Sequence, residues 1–421
     1  MSQLETLWII NATSKNLKLT GVHSTLMNQW SFTDIQAQSQ SNFAIEFKQS
    51  GSGAKADVTF QLEGTNTRFQ LQASDATGKQ LQVDWSSTDP RQYTVFPPFI
   101  TGATAARVRW VQNGTACVLI QDKPALLPSP SQLSNLGTQW MEHYSDVIHN
   151  LTLTEMCIPG THDSGTYQPD FVLGREWIRT QSLSLRNQLN LGIRSLDLRI
   201  GQNKPGDYII THDTWKTKYS LSQALTEVVD FIKATKVEIV ILDFHRFNIL
   251  NKGSSFDFDQ LKAQVKSTLG GYFVPAPEGV GKTLFELWHR PNAAQERIII
   301  TWNDDGSIDR SYMWPGVDQH WYSTADSQDK LFNFLSADFT NPPPRNKMWA
   351  SCVFRTASVF QTPFVNAKDL RGKVDSWFYG CADWSLKANI LMTDFCPDYN
   401  NVIHAAICAS LLNGNKKQSL H

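Results

Sequence analysis

From residue 140 onward the sequence alternates short β-rich runs with longer stretches of helical period, and this alternation constrains the fold more than any other feature. The runs are EMCIP (155–159), IRSLDLR (193–199), YIITH (208–212), EIVILDF (238–244), RIIITW (297–302), MWASCVF (348–354) and NILMTDF (389–395). Between them, SLSQALTEVVDFIKATK (220–236) places apolar residues at i, i+3, i+4 and i+7 behind a serine start. Strands alternating with helices predict a mainly parallel sheet under helical cover. Seven or eight such units in about 280 residues fit a barrel better than an open sheet, so the expected fold class is α/β, a distorted TIM-type (β/α) barrel.

Residues 1–120 have a different texture. Val58, Phe60 and Leu62, then Phe69 and Leu71, then Leu81, Val83 and Trp85 alternate with polar neighbours, the period of half-buried strands. Turn signals at GSG (51–53), EGTN (63–66) and DATGK (75–79) separate them. An antiparallel β-sandwich is therefore expected over 1–120, with Trp8, Trp30, Trp85 and Trp110 in its core. The stretch DKPALLPSPSQLSNLG (122–137) is rich in proline and serine and has no sustained period. It predicts a linker over 121–138 and a barrel domain over 139–421.

Composition narrows the function classes. Lys and Arg number 38 against 39 Asp and Glu, so no overall field draws the chain to nucleic acid, and an anion site must be built locally. The opening MSQLETLWII lacks a basic segment followed by an apolar one, and no apolar run approaches the ~20 residues that span a bilayer. The expectation is a cytoplasmic protein, or one exported without a classical signal peptide. Cys117, Cys157, Cys352, Cys381, Cys396 and Cys408 are widely spaced with no CxxC, which predicts buried thiols rather than a zinc module or a disulfide scaffold. EGVGKT (278–283) has Ala276 where a phosphate-binding loop needs glycine, which argues against nucleotide binding. No cofactor is expected.

Ionisable residues gather at the ends of the β-rich runs. His162 and Asp163 follow the first, Asp197 and Arg199 close the second, and His212 and Asp213 the third. Asp243, His245 and Arg246 end the fourth, and Asp394 ends the last. In a parallel barrel all strand C-termini open on one face, so these groups should converge there. Two histidines, an arginine and carboxylates around one mouth suit in-line attack of a hydroxyl on a phosphodiester. One imidazole removes the hydroxyl proton, the other protonates the leaving oxygen, and the guanidinium neutralises the non-bridging oxygens. Asp213 and Asp243 are expected to be structural.

The segments IPGTHDSGTY, QLNLGIRSLDLR, IITHDTW and VEIVILDFHRF resemble the X-domain of phosphatidylinositol-specific phospholipases C, with the resemblance running from about Leu151 to Ser410. TLFELW (283–288) and RIIITWNDDGSIDRSYMWPG (297–316) are similar to the X-domain-only proteins. The resemblance implies His162 as the general base on the inositol 2-hydroxyl, His212 as the general acid on the diacylglycerol oxygen, and Asp394 as the residue that orients the base. It makes Arg199 the phosphate-binding arginine of the bacterial-type enzymes, supported by Asp163 and Asp197. Calcium-using relatives carry a second acidic ligand two positions after the first, where this chain has Arg199, so catalysis without metal is expected. His245 and Arg246 stand where the bacterial enzymes have a lysine, and Trp302 ends the strand where their inositol-contacting arginine would be sought. Together with Arg355, these are the expected substrate-binding residues.

The implied activity is cleavage of phosphatidylinositol to diacylglycerol and inositol 1,2-cyclic phosphate at a membrane surface, with peripheral contact through the N-terminal domain. INATSKNLKLTG in that domain resembles small lipid- or sugar-binding sandwiches of the aegerolysin and actinoporin kind. Two alternatives stand beside this reading: a metal-dependent phosphodiesterase on another phospholipid, and a catalytically idle lipid- or glycan-binding protein.

Overall fold

The computed structural model describes residues 4–37, 39–48, 53–75, 80–86, 93–96, 105–109, 115–122, 135–171, 174–251, 255–290, 295–323, 326–358, 361–380 and 382–418. The chain forms two compact units, one of residues 1–130 with 372–385, the other of residues 131–371 with 386–421. Most of the expected linker, 123–134, lies outside the described residues, as do Trp110 and the side chains of Trp8, Trp85, Cys117 and Cys381.

The first unit holds two five-stranded sheets. One has the order β3 (Met27–Trp30), β4 (Ser39–Phe47), β1 (Leu4–Ala12), β10 (Thr115–Asp122), β8 (Tyr93–Phe96). The other has the order β2 (Leu17–Thr25), β5 (Lys55–Leu62), β6 (Arg68–Ser74), β7 (Gln80–Ser86), β9 (Ala105–Arg109). Alternate residues of both sheets, among them Leu7, Ile9, Phe43 and Ile45 with Val58, Phe60, Phe69 and Leu71, share one buried core. One pair departs from the antiparallel expectation, since β1 and β10 run parallel.

In the second unit eight strands lie on one parallel path: β17 (Met313–Pro315), β16 (Ile298–Trp302), β15 (Val240–Ile249), β12 (Ser195–Lys204), β11 (Ile158–Thr161), β20 (Ile390–Thr393), β19 (Trp349–Cys352), β18 (Asp318–His320). The path ends at β17 and β18 without pairing between them, so the curled sheet is a barrel open on one side, with helices around it. The helix Leu221–Ala234 shows why the sequence folds this way. Ser220 caps it in a reciprocal box with Gln223, and Leu221, Ala224, Leu225, Val228 and Ile232 form its buried stripe. At the strand N-termini Arg194 is fully buried and paired with Glu238 at 2.6 Å, and its other donors go to the carbonyls of Gly137, Thr138, Leu189 and Ile193.

One expectation needs correction. The YIITH run is not a parallel barrel strand: β13 (Asp207–His212) runs antiparallel to β12 and turns into β14 (Trp215–Ser220), a hairpin beside the main path. Strand β12 overshoots the barrel mouth, and β13 brings the chain back so that Thr211 lies beside Arg199. His212 thus reaches the mouth by a return stroke. Gly165 of the HDSGT segment permits the approach, because a Cβ there would sit 2.7 Å from Ile210 Cγ2.

Candidate active site

The two histidines meet over one carboxylate. His162 Nδ1 lies 2.8 Å from Asp394 Oδ1, and His212 Nδ1 lies 2.8 Å from the carbonyl of Ile178. These acceptors place the proton on Nδ1 in both rings and leave both Nε2 atoms for chemistry. The free nitrogens converge on Asp163 Oδ2, at 3.3 Å from His162 and 3.4 Å from His212. The ring centroids are 6.3 Å apart.

Behind this pair lies the guanidinium. Arg199 Nε is 2.9 Å from Asp163 Oδ1, close enough for an ion pair, but its hydrogen bonds go to Asp197, from Nε at 3.2 Å and Nη2 at 3.1 Å. Asp197 also accepts from the backbone N–H of Asp163 at 2.9 Å. Both Asp163 oxygens are therefore buried without a hydrogen bond, a state that favours an incoming proton donor.

Electrostatics follow from burial and charge. Burial opposes protonation of His162, but Asp163 and Asp394 outweigh it and hold the imidazole above its ordinary value of 6.5. Burial keeps the Asp394 carboxyl above the usual range, with His162 pulling the other way. For Asp197 burial is overcome by Arg199, His245 and His162, which hold it well below that range. Arg199 is held fully charged, because Asp163 and Asp197 outweigh its desolvation.

The backbone aims these groups unusually. Asp163, Asp213 and Phe395, each immediately after a site residue, have φ of 44°, 49° and 47°. Non-glycine residues rarely adopt this left-handed region, and such strain clusters at functional sites. The segment is pinned by Thr180 Oγ1 and Gln181 Nε2, which donate to the carbonyl of His162 at 3.0 and 2.9 Å. Phe354 stacks on the His162 ring with centroids 4.0 Å apart and planes at 14°. Sequence reasoning missed Phe354, Thr180 and Gln181. None carries a titratable group, and no spacing links them to His162.

Residues 156–303 match the family model of the phosphatidylinositol-specific phospholipase C X domain. The chain carries that X domain. Among curated relatives, PI-PLC X domain-containing protein 3 of Mus musculus is 28% identical over 247 residues, covering 52% of this chain and 74% of its own. PI-PLC X domain-containing protein 2 of Homo sapiens is 27% identical over 280 residues, covering 60% and 86%. A mutant of the phosphatidylinositol-specific phospholipase C of Staphylococcus aureus superposes with a TM-score of 0.54 at 16% identity, over 66% of this chain and 99% of that one. The Listeria monocytogenes enzyme gives 0.50 at 20% identity, over 65% and 98%. The structural likeness shows the fold, an open parallel barrel with helices.

The other expected residues divide. The register between β12 and β15 slips between Leu198 and Arg199, leaving His245 as the extra residue of a bulge. His245 Nδ1 meets Asp243 Oδ2 at 3.1 Å, and both groups lie beside Asp197. Asp243 is also fixed by Thr301 Oγ1 at 2.7 Å and Gln319 Nε2 at 3.0 Å. Arg246 is exposed and 3.5 Å from Asp213. Arg355 takes another course: it is buried and bound to Asp369 at 3.2 Å, to Gln361 and to the carbonyl of Asp326. Trp302 is buried against Phe244 and Phe247, with its Nε1 donating to Ser307, so it packs as core.

Among the described residues two groups have metal-ligand chemistry, His162 with Asp163 and Asp197, and Asp197 with Asp243 and His245; in each the ligand atoms lie within 4.8 Å of one another. Both need Asp197, whose oxygens already receive the Arg199 fork. A divalent ion would compete with a fixed cation for the same carboxylate, so the donor set fits a metal poorly.

Among the described residues no helix is long and apolar enough to cross a membrane. Cys157, Cys352, Cys396 and Cys408 are buried, as the sequence analysis expects.

Proposed function

We propose that this chain is a phosphatidylinositol phospholipase C that works by intramolecular transfer without a metal. The convergence of two free Nε2 atoms on one buried carboxylate, with a guanidinium behind it, carries the reading. His162 Nε2 takes the proton from the inositol 2-hydroxyl, and that oxygen bonds to phosphorus. The bond from phosphorus to the diacylglycerol oxygen breaks, and His212 Nε2–H gives its proton to the departing oxygen. The products are diacylglycerol and inositol 1,2-cyclic phosphate. Arg199 faces the non-bridging oxygens, and Asp163 and Asp197 keep it charged and aimed. Asp394 holds His162 in the tautomer with Nε2 free and stabilises the imidazolium as it forms.

Exposed aromatics support action at a lipid surface. Phe171 and Trp215 stack with centroids 5.9 Å apart, and Trp215 lies opposite His212 in the hairpin. Trp177 is exposed one residue before Ile178, which anchors His212. In the sandwich unit a polar cavity of about 440 Å³, lined by His23, Lys55, Asp57 and Gln72 among others, suits a hydroxyl-rich surface better than acyl chains. We assign that unit a targeting role on this basis.

The test is incubation with phosphatidylinositol vesicles in excess chelator, following products by phosphorus NMR. A cyclic inositol phosphate is expected, lost in both His162→Ala and His212→Ala. Turnover only after calcium or magnesium is added would overturn the metal-free mechanism, and no turnover under any condition would overturn the enzyme reading.

A further inference from the structure

The second sheet of the sandwich unit turns one face away from the shared core, and the reaction proposed above does not use that face. Burial alternates along its strands. Ala56 and Val58 of β5 and Leu71 and Ala73 of β6 point into the core, so Lys55 and Asp57, and Gln70, Gln72 and Ser74, stand outside. Register then lines the outer side chains up across the strands. His23, Asp57, Gln72 and Gln82 are direct partners in one row through β2, β5, β6 and β7, and Thr25, Lys55 and Ser74 are partners in the next. At about 4.8 Å per strand the first row runs for about 14 Å. These rows line the cavity of about 440 Å³, within the range of about 300–1,000 Å³ that small ligands occupy.

Hydrogen bonds hold the lining in place. Gln72 Nε2 donates to Gln70 Oε1 at 2.8 Å, Gln70 Nε2 donates to Asp57 Oδ2 at 3.3 Å, and His23 Nδ1 lies 3.1 Å from the same oxygen. The donors run in sequence toward one carboxylate, so side chains that would otherwise lose rotamer freedom on binding are already ordered. His23 Nε2 and the Gln72 oxygen are left as acceptors, and Lys55 adds an ammonium donor beside them. Among the residues lining the cavity Lys55 and Asp57 are the charged ones, and their charges cancel. Donors and acceptors interspersed over a face with no net charge and no large apolar side chain complement a neutral ligand rich in hydroxyls, each of which both donates and accepts. Such a face offers little to an acyl chain or to a phosphate. We infer that it is a binding site for a neutral oligosaccharide, with Lys55, Asp57 and Gln72 meeting its hydroxyls. This deepens and rests on the targeting role proposed for the unit, and it is independent of the reaction in the barrel.

The experiment probes an array of neutral and acidic oligosaccharides with the full chain, then titrates the strongest neutral binder calorimetrically into wild type, Asp57→Asn and Gln72→Ala. Binding is expected to weaken about ten- to one-hundred-fold in Asp57→Asn, the range of a hydrogen bond to a charged group, and about two- to tenfold in Gln72→Ala. The NMR signals of the His23 ring should shift when the sugar is added to wild type, a readout that needs neither variant to fold. The inference is overturned if no neutral oligosaccharide binds, if acidic ones bind in preference, or if the affinity survives both variants. Binding that inorganic phosphate displaces overturns it as well, since the sugar would then sit in the barrel mouth. Binding to the free oligosaccharide but not to vesicles displaying it supports the site and refutes the targeting role.

Discussion

Asp394→Asn separates charge from shape at the proposed base, His162. The wild-type contact is a 2.8 Å hydrogen bond between buried groups, and with Asp163 it raises His162 above 6.5. A hydrogen bond to a charged group contributes about 1.5–3 kcal/mol. Losing it should move the acidic limb of the pH–rate profile to lower pH, because the carboxylate that favours the protonated imidazole is gone. The sign follows from the role: the base works when neutral, so activity rises with pH through the His162 pKa, and removing a carboxylate lowers that pKa. The amide also stops enforcing the Nδ1–H tautomer, so kcat should fall about 10²- to 10⁴-fold. Two assays check this, the pH profile on short-chain phosphatidylinositol and the NMR titration of the His162 ring, which needs no turnover. A limb that stays in place or moves up, in a variant with unchanged circular dichroism, would refute the reasoning.

Other perturbations follow from the same geometry. Glu238→Gln leaves the Arg194 charge buried without its partner and should destabilise the chain by about 3–5 kcal/mol in denaturant melts; a loss below about 1 kcal/mol would contradict the account of that pair. Asp213→Gly removes a left-handed conformation costing about 1 kcal/mol, and its exposed 3.5 Å contact with Arg246 offsets little of this, so Tm should rise. Phe354→Leu removes the stacked face of His162 and should lower kcat about two- to tenfold at nearly constant KM, the reverse split indicating a substrate contact instead.

What was legible in the sequence depended on length and on chemistry. The helix over 221–234 could be read because fourteen residues give its stripe time to repeat and Ser220 marks its start. Strands β17 and β18 could not, since three residues each carry no period and their cover comes from the rest of the sheet. His162 and Asp394 lie just past strand ends and Arg199 lies inside β12, which overshoots the mouth, and the three gather where the strand-end logic expects them. His212 reaches the same place by a hairpin, so the strand-end logic anticipated its convergence but not the antiparallel route that brings it there. Arg355 shows the limit of that logic. It too follows a strand, but Gln361 and Asp369, the latter closing the helix Pro363–Asp369, claim its guanidinium.

That hairpin divides the chemistry mechanically. The proposed base, His162, directly follows β11 in the middle of the parallel sheet, a strand paired on both sides. The proposed acid, His212, rides on β13, whose partners are the overshooting end of β12 and the short strand β14. Local opening free energies track such support. The amides from Ile210 to Thr217 should exchange with solvent well before those from Ile158 to Thr161, and heating should populate a form that can still deprotonate a hydroxyl but has no proton for the leaving group. Thermal inactivation would then precede unfolding of the barrel, as a disengaged hairpin rather than a lost fold.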